Sequence, residues 1–196
     1  MGLELKTSLQ FIELSIDQVF PDQQNLKMLE LGDQEIMRSP TISVKTGKEY
    51  FSNLGFDHTS VDLNGKNGAL KKDLTKPEEF DQWKNHFHII TNSGTTEHVE
   101  PYESQYDCFK ILHHCLKVGG VIIHAIPDSD CLNKWRGHCK FYYNHDFFYT
   151  LAQNCGYDIL RSEIIDQLIC VALIKKQDVD FSIDKSLFLS KIKVLG

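Results

Sequence analysis

Apolar residues recur at helical spacing over 9–20 (LQFIELSIDQVF), and Pro21 closes the run. After a polar loop the pattern changes to apolar blocks of strand length at 26–31, 59–63, 87–91 and 121–126, with a brief one near 68–70. Helical spacing returns between them, at 45–54, 77–83 and 106–116. Gly55 suits the left-handed residue that closes a helix, and the pair Gly119 and Gly120 suits the end of the last of these three. His113 and His114 fall on the side of that helix expected to face solvent. The block 121–126 (VIIHAI) is apolar almost throughout, as a strand covered on both faces must be.

Beyond Pro127 comes a polar and aromatic insertion, 128–143. A helix is expected over 146–154, and two extended runs, 157–165 and 167–175, turn about Asp166. Strands alternating with helices and ending in a hairpin predict an α/β fold, a doubly wound, mostly parallel seven-stranded sheet with one antiparallel edge hairpin. The chain then divides into a helical segment over 1–25, the sheet domain over 26–176 and a tail over 177–196, with one amphipathic stretch at 186–194.

The chain has 196 residues, 41% of them hydrophobic, which suits a single globular domain with a full core. With 27 acids against 21 bases and a formal net charge of −6, it lacks the basic surface that grips a phosphate backbone, which argues against a nucleic-acid partner. No apolar run approaches the ~20 residues that span a bilayer, so no membrane association is expected. The segment MGLELKTSLQF has neither the basic start nor the apolar core of a signal peptide, and Lys6 stands where a myristoylation signal has Ser or Thr. A cytoplasmic location is the expectation. The six cysteines form no C-x-x-C pair and share no zinc spacing with the nine histidines, so reduced, mostly buried thiols and no metal are expected. Oligomeric state is left open, a homodimer included.

Four stretches carry the candidate chemistry: MLELGDQ at 28–34, SVDLNG at 60–65, KDLT at 72–75 and FHIITNSGTTEHV at 87–99. Each sets a strand-like run directly before a glycine, an acid or a small polar cluster. Open α/β sheets bind ligands outside the carboxyl ends of their strands, where the strand order reverses. An acid at the end of a second strand, Asp62, is placed to accept two sugar hydroxyls at once. Its rival reading is a cap on the Asn64-Gly65 turn. Asp73 or Thr75 has a rival role too, as an amino-terminal cap for 77–83.

In the same order, these stretches resemble the class I S-adenosylmethionine-dependent methyltransferases and their Rossmann-like fold. Glu30-Leu31-Gly32-Asp33-Gln34 is similar to the family's first motif, Asp/Glu-x-Gly-x-Gly-x-Gly, with Gln34 and Ile36 in place of the later glycines. The resemblance implies S-adenosylmethionine as cofactor. Glu30, Gly32, Asp33 and Gln34 would then hold its methionine end, Asp62 and Leu63 its ribose, and Asp73 and Leu74 its adenine. Asn92, Ser93, Gly94 and Thr95 would line its methionine and sulfonium region through backbone carbonyls. His88 stands where many members have an acid, and Leu116-Lys117-Val118-Gly119-Gly120 is similar to a Leu-Lys-Pro-Gly-Gly signature.

The activity implied is methyl transfer by in-line displacement to a small-molecule acceptor, with the protein aligning donor and acceptor and excluding water. His98 and His138 are the candidates for a general base. Glu97, Trp135 and Arg136 are the candidates for acceptor binding, with the later phenylalanines of the insertion inside the core. Two alternatives remain in view. One is a catalytically silent member that binds the cofactor or a protein partner. The other is a nicotinamide-dependent Rossmann enzyme, for which Gly32 lacks the partners of G-x-G-x-x-G.

Overall fold

The computed structural model describes residues 3, 8–22, 25–37, 43–131 and 133–195. Gly2 and Lys6, on which the myristoylation reading turns, lie outside them.

Seven strands form one sheet in the order β3-β2-β1-β4-β5-β8-β7. They are β1 (Lys27–Leu31), β2 (Asp57–Asp62), β3 (Leu70–Lys71), β4 (Phe87–Ser93), β5 (Leu116–Pro127), β7 (Tyr157–Ile165) and β8 (Leu168–Lys175), with β6 (Phe141–Tyr142) lying outside the sheet. The first five pair in parallel; β8 runs antiparallel to both β5 and β7. Asp166 and Gln167 both have positive φ, 51° and 65°, the two-residue hairpin turn whose twist matches the flanking strands.

Side-chain alternation divides the core into two layers. Leu29, Leu31, Ile90, Ile122 and Val171 face one side, where they meet α3 (Ser104–Cys115), α4 (His145–Asn154) and α5 (Lys185–Ser190) through Phe109, Leu112, Phe147, Phe148 and Phe188. Met28, Ile89, Val121, Ile123 and Ala172 face the other, under α1 (Gln10–Val19) and α2 (Gly47–Asn53) through Phe11, Ile12, Ile16 and Phe51. Helices on both faces explain why these strands are apolar at consecutive positions. Residues 177–195 join the first layer: Phe181, Ile183, Phe188 and Ile192 are buried in it. A short strand β9 (Lys193–Val194) then pairs with β6.

Local chemistry sets several boundaries. Thr46 Oγ1 accepts the Glu49 N–H at 3.1 Å to start α2, and Asn144 Oδ1 accepts the Phe147 N–H at 3.1 Å to start α4. The short helix expected over Pro77–Trp83 is present as a 3₁₀ helix, with Pro77 in its first turn. Two other expectations need correction. Gly119 and Gly120 do not cap α3, because β5 begins at Leu116, directly after the helix. Gly119 has φ +80°, and a Cβ on Gly120 would stand 2.8 Å from the His88 carbonyl oxygen. The glycines thus serve a close approach between β4 and β5 at a register shift. Finally, His113 is buried rather than solvent-facing, because later segments cover it: Tyr157 Oη lies 2.8 Å from Nδ1 and the Val179 carbonyl 2.7 Å from Nε2.

Candidate active site

β1, β2 and β4 end side by side at the point where the strand order turns. Gly32 leaves β1 with φ +82°, its N–H donating to the Val61 carbonyl at 2.8 Å. A Cβ there would stand 2.5 Å from Gln34 Nε2 and 2.7 Å from Thr95 Oγ1, so both the turn and its packing require glycine. The Gln34 amide folds back beneath this turn, donating to the Leu31 carbonyl at 3.1 Å and to Thr95 Oγ1 at 3.3 Å. Thr95 Oγ1 in turn donates to the same carbonyl at 2.9 Å. A glutamine and a threonine therefore support the loop from which the later glycines are missing.

Asp62 ends β2 with its carboxylate at the mouth of this turn. Oδ2 accepts the Asp33 N–H at 3.1 Å and Oδ1 the Asn64 N–H at 2.8 Å. The side chain is held rigidly, and each oxygen keeps a second lone pair. It both caps the Asn64-Gly65 turn and faces the cleft, so the two readings of this acid are compatible. Asp33 Oδ2 accepts from Asn67 Nδ2 at 2.7 Å, and desolvation raises the Asp33 pKa.

These strand ends border a cleft of ≈ 390 Å³, within the roughly 300–1,000 Å³ of small-molecule sites. Ten of the expected residues line it: Gly32, Asp33, Gln34, Asp62, Leu63, Asp73, Leu74, Gly94, Thr95 and His98. Val61, Lys72, Thr75, Val99 and Glu100 line it as well and were not expected. Of these, Lys72 and Thr75 flank the Asp-Leu pair, so adjacency to that motif was the available signal. Asp73 Oδ1 accepts both the N–H and the hydroxyl of Thr75, at 2.9 and 2.8 Å, which lowers its pKa; it does not cap the 3₁₀ helix, which begins after Lys76.

Glu30, Asn92 and Ser93 do not line the cleft, because strand packing turns them into the interior. Glu30 lies against Gly47, where a Cβ would approach its Oε1 to 2.1 Å, and 3.6 Å from His58 Nε2. Burial pushes the Glu30 pKa well up, while burial and then Lys48 hold His58 down at about 4. Asn92 organises the turn that follows β4. Its Oδ1 accepts the Thr96 N–H at 3.2 Å, and its Nδ2 donates to Thr96 Oγ1 at 2.8 Å and to His124 Nδ1 at 2.9 Å.

That turn, Thr96–His98, presents His98 to the cleft and to a second hollow of ≈ 570 Å³. The second hollow is lined by His98, Glu100, Arg136, Gly137, His138, Cys139, Lys140 and Leu195, so the two expected histidines meet at the junction with ring centroids 5.0 Å apart. Burial lowers both histidine pKa values, His98 also through its neighbour His138. Glu97 is fully buried beside them and does not line either hollow; desolvation pushes its pKa up to about 8. Trp135 does not line the hollow. Its Nε1 donates to the Asp166 carbonyl at 3.1 Å, and its ring packs 5.2 Å from that of His138. Phe141, Tyr142, Tyr143, Phe147 and Phe148 are core residues.

This architecture is the fold of the class I S-adenosylmethionine-dependent methyltransferases. Among solved structures, the chain is similar to a 1,6-didemethyltoxoflavin-N1-methyltransferase of Burkholderia thailandensis, crystallised with 1,6-didemethyltoxoflavin and S-adenosylhomocysteine. The TM-score is 0.58 at 12% identity, over 88% of this chain and 81% of that one. A TehB-like S-adenosylmethionine-dependent methyltransferase of Corynebacterium glutamicum matches with a TM-score of 0.56 at 14% identity, over 85% and 88%. Another such methyltransferase, from Archaeoglobus fulgidus, matches with 0.55 at 15%, over 80% and 72%. No protein-family model and no curated protein matches the sequence.

Proposed function

We propose that this chain is an S-adenosylmethionine-dependent methyltransferase that acts on a small-molecule acceptor by in-line displacement. The observation carrying this reading is Asp62, held at the end of β2 by two backbone N–H groups and facing a cleft at the sheet's switch point. When bound, S-adenosylmethionine supplies an electrophilic methyl group on a sulfonium. The residues present suit it. Asp62 offers two acceptor oxygens for a ribose diol, and Asp73 with Leu74 offers an acid and an apolar face for adenine. Gly32, Asp33 and Gly94 border the space left for the methionine end, and the Oε1 of Gln34 is buried without a hydrogen-bond partner among the described residues.

The second hollow supplies the acceptor site in this reading. It shares His98 and Glu100 with the cleft, so an acceptor there adjoins the cofactor while Arg136 and Lys140 offer donors to its polar groups. His98 and His138 are the groups at the junction able to hold or take the acceptor's proton. Among the described residues, no helix is long and apolar enough to cross a membrane. Titration calorimetry of the full chain with S-adenosylhomocysteine tests the reading. Saturable one-to-one binding is expected, and an absence of heat overturns it. A catalytically silent binder is the second reading, favoured by Gln34 and Thr95 filling the space beneath Gly32. Methyl release across a panel of small acceptors separates the two.

A further inference from the structure

Glu97, His98 and His138 converge although nothing in their sequence spacing joins them. One donor atom from each lies within 4.8 Å of the other two. Glu97 Oε1 stands 3.9 Å from His98 Nε2, and the imidazoles of His98 and His138 meet edge to face. Glu97 is the anomaly of the group: its side chain is 0% exposed, yet both carboxylate oxygens are without a hydrogen-bond partner among the described residues. Leaving a buried carboxylate unsatisfied costs free energy that a native fold seldom tolerates without a reason. The neighbouring thiol is otherwise engaged, Cys139 Sγ donating to the Phe141 carbonyl at 3.3 Å.

We propose that these three side chains bind a divalent transition-metal ion. One carboxylate and two imidazoles are a donor set for Zn²⁺, Mn²⁺, Co²⁺ or Fe²⁺ rather than for Ca²⁺ or Mg²⁺, which prefer all-oxygen shells. A modest closure of the three donors brings them to the ~2.0–2.2 Å that such ions require. The ion neutralises Glu97 and gives its oxygens the partner they lack. Three protein ligands leave open positions, and His98 and His138 both border the second hollow, so those positions face the proposed acceptor.

The chemical class of acceptor follows, on the strength of the methyltransferase reading: a molecule with a hydroxyl or other oxygen donor able to ligate the ion. Coordination lowers the pKa of such a hydroxyl, whose proton leaves to solvent and whose oxygen is thereby made nucleophilic. His98 and His138 are then ligands, and no separate side-chain base is needed.

The test titrates the chelator-stripped full chain with Co²⁺ alone, followed by calorimetry and by visible d–d absorption. One saturable site is expected, with intensified bands marking a lowered coordination number. His138→Ala and Glu97→Gln should each weaken binding at least tenfold. Should Glu97→Gln fail to fold by circular dichroism, His98→Ala replaces it, since that residue is half exposed. A spectrum that stays that of aqueous Co²⁺, or an affinity unchanged in His138→Ala, overturns the site. S-adenosylhomocysteine titrated into the same metal-free sample keeps the two readings apart. Binding there with no Co²⁺ site sinks the metal alone, and a Co²⁺ site with no such binding sinks the methyltransferase alone.

Discussion

Gly32 shows how much one residue decides at this site. Its φ of +82° and the contacts a Cβ would make with Gln34 and Thr95 make two demands, one conformational and one steric. Gly32→Ala should cost about 1–3 kcal/mol through the left-handed backbone alone. It should also displace the Gln34 amide from the Leu31 carbonyl. Urea unfolding measures the first effect, and a midpoint equal to wild type would contradict it. Gly32 and Asp62 were legible in the sequence because an apolar run followed by a glycine or an acid marks a strand's end at a ligand site. Glu30 sits in the same motif and was misplaced. Strand alternation places its side chain in the layer beneath α2, where Gly47 makes room for it. Glu97 and His138 were each visible singly, but their meeting depends on how the 128–143 insertion folds back, which residue types do not encode.

At the scale of elements, α3 illustrates the limit of reading a helix by its own periodicity. His113 lies at the edge of the apolar stripe of α3, four residues after Phe109, and its polar ring made solvent exposure the natural expectation. Yet β7 and the segment beyond β8 cover it, and desolvation holds its pKa down at about 4. The Val179 carbonyl requires an N–H on Nε2, so Nδ1 accepts from the Tyr157 hydroxyl and the ring is neutral. Unfolded, the same ring takes up its proton near 6.5. Between these values the unfolded chain binds more protons, so this residue's contribution to stability falls as pH drops from 6.5 towards 4 and is constant above that window. The full extent is on the order of 3 kcal/mol. His113→Gln, which cannot titrate, should therefore lose less stability than wild type between pH 6.5 and 4 in parallel denaturant titrations. Equal slopes would contradict the assignment. Lys175 strengthens the same corner: its buried ammonium donates to the His113 and Leu116 carbonyls at 2.9 and 3.1 Å, at the carboxyl end of α3.

For the whole molecule, the doubly wound order and the antiparallel β8 were legible from alternation and from the two closing runs. The role of 177–195 was less so, because an amphipathic stretch of a few residues does not announce which surface it covers. In the folded chain Phe188 is 1% exposed and packs against Tyr106, Phe109, Phe147 and Phe181. Phe188→Ala should destabilise the protein by about 3–5 kcal/mol, the range for deleting a buried phenyl ring. Chemical denaturation should show this as one cooperative transition shifted to lower denaturant. A change under about 1 kcal/mol would mean that this segment packs loosely, since surface substitutions fall within that range.

All of these scales meet at the carboxylate that ends β2. Calorimetric titration of S-adenosylhomocysteine into wild type, Asp62→Asn and Asp62→Ala is the direct measurement of its role. Asp62→Asn keeps one acceptor oxygen for the loop N–H groups and serves as the folded control. The expected result is saturable binding to wild type, weakened at least tenfold in Asp62→Ala, a loss of about 1.4 kcal/mol or more. Equal affinity in all three proteins, each folded by circular dichroism, would contradict the account.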